Sequence, residues 1–321
     1  MLRRGIICHF AIAACLTSVS PARAQNVGDA AKQTQQVAGD LLRSARTLAD
    51  AGDLEKARTI VAEYLGSHAD SGEAHFLLGY ILFKQQKSSE SLAAYTEGAK
   101  HATPGSEDLK VVALNYVLLG DYASADHWLT RSVEFDPRDT QAWYYLGRTK
   151  YNENRFEEAV RAFEECLKLD PRNVKAEDNL GLSYQALGRT DDAIATYRNA
   201  MAWQEHALEK NVGPVLNMGI LQLEQNKISD AVALLLQAEV IAPNDSRTHE
   251  QLAKAYSRLE DFEKAQAELE KAVQLDPNRS SLRFMLGQIY RKRGLMDKAR
   301  IELDKGTALK QSERKNAPSV E

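Results

Sequence analysis

The sequence predicts an all-α chain built from helix–turn–helix repeats that stack on one another. The first observation is a period of 34 residues, since Pro137 and Pro171 are separated by that distance, and so are Pro243 and Pro277. The second is that small and apolar residues recur in register with the same period. A single helix pair cannot bury both of its faces, so a chain of this kind gains its stability from stacking.

Taking proline as position 32 divides the sequence into eight repeats. They cover residues 38–71, 72–105, 106–139, 140–173, 174–207, 212–245, 246–279 and 280–313. The register breaks once, at residues 208–211, so that residues 38–207 hold repeats 1–5 and residues 212–313 hold repeats 6–8. We expect the second helix of repeat 5 to run long. We also expect the array to bend at this break, which would separate five repeats from three.

Three columns of the repeat predict how its two helices meet. Position 8 is always small, with Ala45, Gly79, Ala113, Gly147, Gly181, Gly219, Ala253 and Gly287. Position 20 is alanine except for one serine, with Ala57, Ser91, Ala125, Ala159, Ala193, Ala231, Ala265 and Ala299. Position 24 is apolar throughout, with Val61, Tyr95, Leu129, Phe163, Tyr197, Leu235, Leu269 and Leu303. Small residues at positions 8 and 20 allow close approach of the helices, and the large residues fill the space around that contact.

The columns resemble the tetratricopeptide repeat. Repeat 4 is the best copy, with Trp143, Leu146, Gly147, Ala159, Phe163, Leu169 and Pro171 at family positions. Repeats 1 and 2 depart from the pattern, since Ala69 and Thr103 stand where proline is expected. The resemblance implies a right-handed superhelical solenoid whose first helices line a concave groove for a segment of a partner protein.

By the same resemblance, positions 2, 5, 9, 12 and 13 face that groove. The candidate partner-binding residues there are Phe76, Tyr80, Phe83, Leu114, Tyr144, Arg148, Tyr151, Leu182 and Ile220. This apolar and aromatic set favours an extended or helical apolar peptide as the ligand. Two other interpretations remain open: the chain itself covers these residues, or they merely fit the common repeat pattern.

The last two repeats carry a basic stripe at groove positions. Its members are Arg247, Lys254, Arg258, Arg291 and Lys292. On a chain whose net charge is −4, such a stripe could seat an acidic segment or an anionic polymer. The alternative is a solvated face with ion pairs inside each helix.

No motif of a known enzyme class occurs in the sequence. There is no phosphate-binding glycine-rich loop, no Gly-x-Ser-x-Gly and no His-Glu-x-x-His. The histidines lack metal-ligand spacing, and Cys166 occupies a small, buried position of the repeat. We therefore predict no catalytic residue, no metal site and no cofactor. The lack of a long basic run also argues against nucleic acid as the main partner.

The first 24 residues are typical of a secretory signal peptide. Arg3 and Arg4 precede an apolar run from Gly5 to about Val19, and Ala22-Arg23-Ala24 forms a cleavage site. Cleavage after Ala24 is the first interpretation. A lipoprotein signal with lipidation of Cys15, and a twin-arginine signal, are the alternatives. All three export the protein, which we expect to be periplasmic or secreted, or an envelope lipoprotein, with no integral membrane span.

The flanks are simpler. Residues 25–37 form a polar segment, and residues 314–321 are expected to be a disordered tail, with the loss of order starting near residue 310. The second helix of repeat 8 ends the array, so we expect its outer residues, Glu302 among them, to face solvent.

These features predict a non-catalytic interaction scaffold or adaptor of the bacterial cell envelope, which binds a partner segment in the groove. One alternative is a structural subunit that docks through its convex face. The other is a carbohydrate-binding protein that uses the aromatic groove, although paired carboxylates are missing from the groove columns.

Overall fold

The computed structural model describes residues 39–316. The signal peptide expected over residues 1–24, the polar segment over residues 25–37 and the last five residues lie outside this part. Within it, the chain forms sixteen α-helices and no strand, which confirms the predicted all-α fold class.

The helices follow one another with short turns. In chain order they are α1 (39–50), α2 (Leu54–Ser67), α3 (Gly72–Lys84), α4 (Ser88–Gly98), α5 (Ser106–Leu119), α6 (Tyr122–Phe135), α7 (Thr140–Asn152), α8 (Phe156–Leu169), α9 (Val174–Ala186), α10 (Thr190–Trp203), α11 (Gly213–Glu224), α12 (Ile228–Ile241), α13 (Ser246–Arg258), α14 (Phe262–Leu275), α15 (Ser280–Lys292) and α16 (Met296–Asn316). Each repeat therefore contains a first helix with an odd number and a second helix with an even number.

The contacts divide the chain into two compact bodies, one ending at Pro104 and one beginning at Gly105. The N-terminal body holds α1–α4, and the C-terminal body holds α5–α16. The register break at residues 208–211 lies inside the C-terminal body, where α11 packs against both α9 and α10. The contacts thus divide the chain elsewhere than at the break, where we expected the separation.

The side chain at position 24 packs directly on position 8 of the same repeat. An ideal Cβ on Gly147 would lie 2.6 Å from the ring of Phe163, and one on Gly181 would lie 2.5 Å from the ring of Tyr197. Both rings are fully buried. The glycines are required because no side chain fits between the two helices at these places.

The turn inside each repeat uses the left-handed backbone region at position 15. Gly52, Gly120, Gly188 and Gly294 have φ between +71° and +91°. The other four repeats place Gln86, Asn154, Asn226 and Glu260 there, with φ near +60°. In this region the Cβ of an L-residue comes too close to the backbone, and glycine avoids the clash because it has no Cβ. The four other residues adopt the same conformation in spite of that steric cost.

Two polar contacts join one repeat to the next. Ser71, Asp139, Asn173 and Asp245, all at position 34, accept a hydrogen bond from the first turn of the following helix. His75, Trp143, His249 and Arg283, all at position 4, bond to the carbonyl oxygen of position 32 in the preceding repeat. The polar side chains at these positions thus set how consecutive repeats join.

The insertion at residues 208–211 extends a loop and not a helix. α10 ends at Trp203 and has 14 residues, the same length as α8, so the expected long second helix is wrong. The Gln204 side chain bonds twice to Asn211, donating to its carbonyl at 2.8 Å and accepting from its N–H at 2.7 Å. Those two bonds close the loop before α11 begins at Gly213, with Pro214 in its first turn.

The C-terminal helix corrects two expectations. α16 continues to Asn316, so residues 314–316 are helical and not part of a disordered tail. No proline or turn residue interrupts the run of helix-forming side chains there, and Ser280 donates to Glu313 at 3.2 Å. Glu302 is 9% exposed, since it accepts from Arg283 and Lys305, both at 2.8 Å.

Among the helices of residues 39–316, none combines the length and apolar character that crossing a bilayer needs.

Candidate functional site

In the C-terminal body the first helices of successive repeats lie side by side. α5 contacts α7, α7 contacts α9, α9 contacts α11, and α11 contacts α13. Side chains at positions 2, 5, 9, 12 and 13 of a first helix are three or four residues apart, or adjacent, and share one side of it. We call the surface that they form the first-helix face. It contains six of the residues that the sequence suggested for partner binding, namely those of the C-terminal body.

Tyr144 and Arg148 form the centre of this face. The Tyr144 ring lies 5.4 Å from Tyr145 and 6.1 Å from the buried Phe163, between ring centres, and the Arg148 guanidinium is 5.9 Å from the Tyr144 ring. Burial raises the pKa of the Tyr144 hydroxyl, and the charge of Arg148 opposes that effect. Arg148 itself is exposed. An aromatic surface and a solvated cation therefore stand next to each other.

The remaining candidates of the C-terminal body are half-buried. Leu114, Tyr151, Leu182 and Ile220 each keep part of their side chain accessible. The Tyr151 ring packs edge-on against Phe156, with 5.3 Å between ring centres. Partial exposure of this apolar set leaves area that a ligand could bury.

The candidates of the N-terminal body have different surroundings. Phe76 is 7% exposed and packs on Tyr95 and Gly98 between α3 and α4, so its assignment to the groove is wrong. Position 5 of this repeat points into the helix pair because Gly98 leaves room for the ring. Phe83 is half-buried.

Tyr80 is held by polar neighbours. Its hydroxyl donates to Asp50 at 2.7 Å, while the Arg46 guanidinium lies 3.9 Å from the centre of its ring. Lys84 approaches the same ring to 5.5 Å. Residues of α1 and α3 thus already contact this half-buried tyrosine. A ligand would contact Arg46 and Lys84 before it reaches the ring.

The sequence reading missed three buried charges at position 5. Lys110, Asp178 and Glu250 are 5–6% exposed. Lys110 bonds to Asp139 at 2.8 Å, Asp178 accepts from Asn217 at 2.8 Å, and Glu250 pairs with Lys254 and Arg279. The position-5 column held the signal, because apolar Phe76, Tyr144 and Leu216 alternate there with these charges.

Asp178 has the most perturbed chemistry of the three. Desolvation raises its pKa to about 6, although the hydrogen bond from Asn217 and the charge of exposed Arg247 act in the opposite direction. Its second carboxylate oxygen lies so near Gly213 that a Cβ there would clash with it. This acid therefore lies on the first-helix face with its ionised form disfavoured.

The basic stripe is partly neutralised by its own chain. Lys254 pairs with Glu250 at 2.6 Å, and Arg258 donates to the backbone carbonyl of Leu223. Arg291 and Lys292 are exposed and line a cleft of about 380 Å³ with Gln288 and Met296. A second cleft of about 250 Å³ shares Gln288 and is lined by Lys254, Arg258 and Met285. Four of the five residues of the stripe thus line one or the other of these clefts.

Within residues 39–316 the side chains that could hold a metal ion form one group, which joins Glu239, His249 and Glu268. The group is separate from the residues that we singled out for partner binding, and its members come from three helices. Their spacing along the sequence therefore gave no signal.

Models of the tetratricopeptide repeat match several parts of the chain. One matches residues 140–173, a second matches residues 42–107 and 250–313, and a third matches residues 178–211. Matches thus occur in both bodies.

Curated proteins of several organisms resemble parts of the chain. The human PEX5-related protein is 29% identical over 121 residues, which make up 38% of this chain and 17% of that protein. The cytochrome c-type biogenesis protein CycH of Pseudomonas aeruginosa is 30% identical over 120 residues, which make up 36% of this chain and 28% of that protein. The chain therefore spans less than a third of the length of these relatives.

Solved structures share the fold. A tetratricopeptide repeat protein from Parabacteroides merdae superposes with a TM-score of 0.63 at 18% identity, covering 79% of this chain and 99% of that one. The type IV pilus biogenesis factor PilW gives a TM-score of 0.53 at 18% identity, covering 68% of this chain and 97% of that one. At such low identity the likeness concerns architecture alone.

Proposed function

Because the chain belongs to the tetratricopeptide repeat family, we propose that it is a non-catalytic scaffold that binds a segment of a partner protein on the first-helix face. The observation that carries this proposal is the half-buried apolar set on α5, α7, α9 and α11, namely Leu114, Tyr144, Leu182 and Ile220. Covering such side chains contributes about 25 cal/mol per Å² of apolar area, before the costs of ordering the ligand.

The chemistry of the face suggests what the segment carries. Apolar or aromatic side chains would lie against Tyr144 and Leu182, and an acidic group would pair with exposed Arg148. Once ionised, Asp178 would repel an acidic group of the segment that lies beside it. The segment that fits is thus apolar, with its negative charge near α7.

Residues 1–24 support a role in the bacterial cell envelope. A positive start, a short apolar run and Ala22-Arg23-Ala24 are typical of an exported protein. The partner would then be another envelope protein, and the scaffold would hold or recruit it for assembly.

Site-specific photo-crosslinking in the producing cell tests the proposal. A photoreactive amino acid is placed at Arg148 on the first-helix face or at Val240 on α12, since both side chains are exposed. Replacing Arg148 removes one solvated ion pair with the segment, which contributes little beside the apolar contacts. We expect crosslinks from position 148 to one segment of one partner, identified by mass spectrometry. Replacing Tyr144 and Leu182 by serine should abolish them.

The matched control is Leu236→Ser on α12, a side chain that is 41% exposed. It should leave the crosslink from position 148 intact. Circular dichroism of each variant shows whether the fold is retained. A crosslink that survives the double serine variant with the fold intact would overturn binding on the first-helix face.

A second candidate is docking through the second helices. Met201, Val215, Val240 and Ile241 line a cleft of about 500 Å³ beside the register break. Val240 is 83% exposed. Crosslinks from position 240 and none from position 148 would favour this docking surface.

A further inference from the structure

Glu239, His249 and Glu268 converge from three consecutive helices, α12, α13 and α14. The Nδ1 atom of His249 lies 2.7 Å from Oε2 of Glu268 and 3.8 Å from Oε1 of Glu239. One nitrogen and two carboxylate oxygens fall within 4.8 Å of one another. These are the donor types that a first-row divalent metal ion takes from proteins.

The surroundings of His249 decide which nitrogen can bind a metal ion. Its Nε2 lies 2.9 Å from the carbonyl oxygen of Pro243, which can only accept a hydrogen bond. Trp143 occupies the same repeat position, and its only ring nitrogen donates to the carbonyl of Pro137 at 3.0 Å. Nε2 therefore carries an N–H, and Nδ1, which is hydrogen-bonded to Oε2 of Glu268 at 2.7 Å, is the nitrogen whose lone pair a metal ion would take in place of the proton of that bond. A backbone carbonyl on the far nitrogen is the usual support of a metal-bound histidine.

The two carboxylates already share a cation. The Lys271 ammonium lies 2.9 Å from Oε1 of Glu239 and 3.0 Å from Oε1 of Glu268. The Lys271 side chain is 47% exposed, whereas the side chains of His249 and Glu268 are 2% and 12% exposed. The site is thus closed by protein on one side and opens to solvent where a flexible lysine stands.

We propose that Glu239, His249 and Glu268 form a binding site for a zinc ion. Nδ1 of His249 and one oxygen from each carboxylate supply three ligands, and water supplies the fourth. The Lys271 ammonium moves into solvent when the ion enters, because a divalent cation neutralises both carboxylates. The bound ion links repeats 6 and 7, and its binding is independent of any partner on the first-helix face.

The hydrogen bond from Nδ1 of His249 to Glu268 competes with the metal ion for the same nitrogen. Zinc must displace the proton of that bond, since a protonated nitrogen has no lone pair for a metal.

The decisive experiment titrates zinc into the full chain, stripped of metal by a chelator and free of any affinity tag. Competition with a chromogenic chelator measures stoichiometry and affinity. We expect one zinc ion per chain, and at least a tenfold loss of affinity in Glu239→Gln and in His249→Gln. The glutamine at position 249 keeps an N–H for the Pro243 carbonyl and removes the ligand lone pair.

Two further variants sharpen the test. Lys271→Ala removes the resident ammonium and should tighten zinc binding, whereas loss of a merely structural ion pair would leave it unchanged. His75→Gln is the matched control, because His75 makes the same bond to a carbonyl, that of Ala69 at 2.8 Å. Zinc affinity should be unaltered in this control.

Zinc should also raise the melting temperature of the unmodified chain and not that of Glu239→Gln. Glu239 is 26% exposed, so its variant keeps the test valid if His249→Gln fails to fold. The absence of one-to-one binding, or equal affinity in the unmodified chain and Glu239→Gln, would overturn the site. Equal losses in His75→Gln and His249→Gln would do the same.

Discussion

Repeats 4 and 7 share one frame but fill it with different side chains. Their first helices both have 13 residues and their second helices both have 14. In repeat 4, Gly147 at position 8 meets the large ring of Phe163 at position 24. In repeat 7 the same positions hold Ala253 and Leu269, which belong to one core cluster. The helix spacing thus constrains the combined volume of the two side chains and not the volume of either one alone.

Position 4 separates the same two repeats chemically. Trp143 and His249 both bond to a proline carbonyl at the end of the preceding repeat. Only His249 has a second nitrogen, and that nitrogen faces Glu268. The bond to the proline carbonyl therefore supports stacking in both repeats. Histidine in place of tryptophan adds a contact with charged side chains in repeat 7 alone.

Replacing His249 by leucine should break this comparison most strongly. The change removes a polar partner from Glu268, which is 12% exposed, and from Glu239, which is 26% exposed, and it leaves the Pro243 carbonyl without its donor. We expect a loss of about 3 kcal/mol in the free energy of unfolding. Trp143→Phe, which loses one hydrogen bond and some area, should cost about 1 kcal/mol. Urea denaturation measures both, and equal losses would contradict the special role of position 4 in repeat 7.

Placing the position 8 alanine of repeat 7 into repeat 4 tests whether the sizes of the side chains at positions 8 and 24 depend on each other. Gly147→Ala places a Cβ against the fully buried Phe163, so it should cost about 2 kcal/mol despite the better helix propensity of alanine. Adding Phe163→Leu recreates the pair of repeat 7 and should recover most of that loss. A double-mutant cycle by urea denaturation gives the coupling energy, and strictly additive losses would contradict the packing argument.

Position 5 extends the comparison to the pH dependence of stability, because repeat 5 has the carboxyl group of Asp178 where repeat 4 has Tyr144. Burial raises the pKa of Asp178 to about 6. Its folded pKa lies above the unfolded one, so its contribution to stability is present below about pH 4 and is lost as the pH rises to about 6. Asp178→Asn, which can still accept from Asn217, should therefore stabilise the chain by about 1–2 kcal/mol at pH 7.5.

The same substitution should change little at pH 4. Melting curves of the unmodified chain and the variant at the two pH values check this expectation. A variant that stabilises equally at both would show that the carboxyl is not titrating between them.

The smallest effect is expected at the edge of repeat 4. Glu158 pairs with Arg155 at 2.6 Å, and this contact lowers the pKa of Glu158 to about 2. Its side chain is about one-third exposed, so Glu158→Gln should cost only about 0.5 kcal/mol at pH 7. The loss should fade as the pH drops through 4 towards 2, opposite in sign to Asp178. A loss that persists in high salt would argue for a packing role.

The repeat register was predictable because it depends on local pattern. Small residues at position 8 and glycine at position 15 lie in the same helix pair as the contacts that they make, and proline at position 32 marks the end of that pair, so their spacing along the chain reports their spacing in space. The partner-binding set was predictable only in part, because Phe76 turned out to pack inside its repeat. The columns show which residues share a helix face, but they do not show whether another helix covers that face.

By itself, the sequence determined the helix pairs, their turns and the family to which the chain belongs. Only the tertiary structure decided that the contacts divide at Pro104, that α16 continues to Asn316, and that Asp178 is buried against Asn217. It also brought Glu239, His249 and Glu268 to one point from three helices. The physical reason is the range of the interactions. Helix formation and pairing depend on neighbours within one repeat, whereas the burial of a charge or the convergence of ligands depends on distances between helices of different repeats.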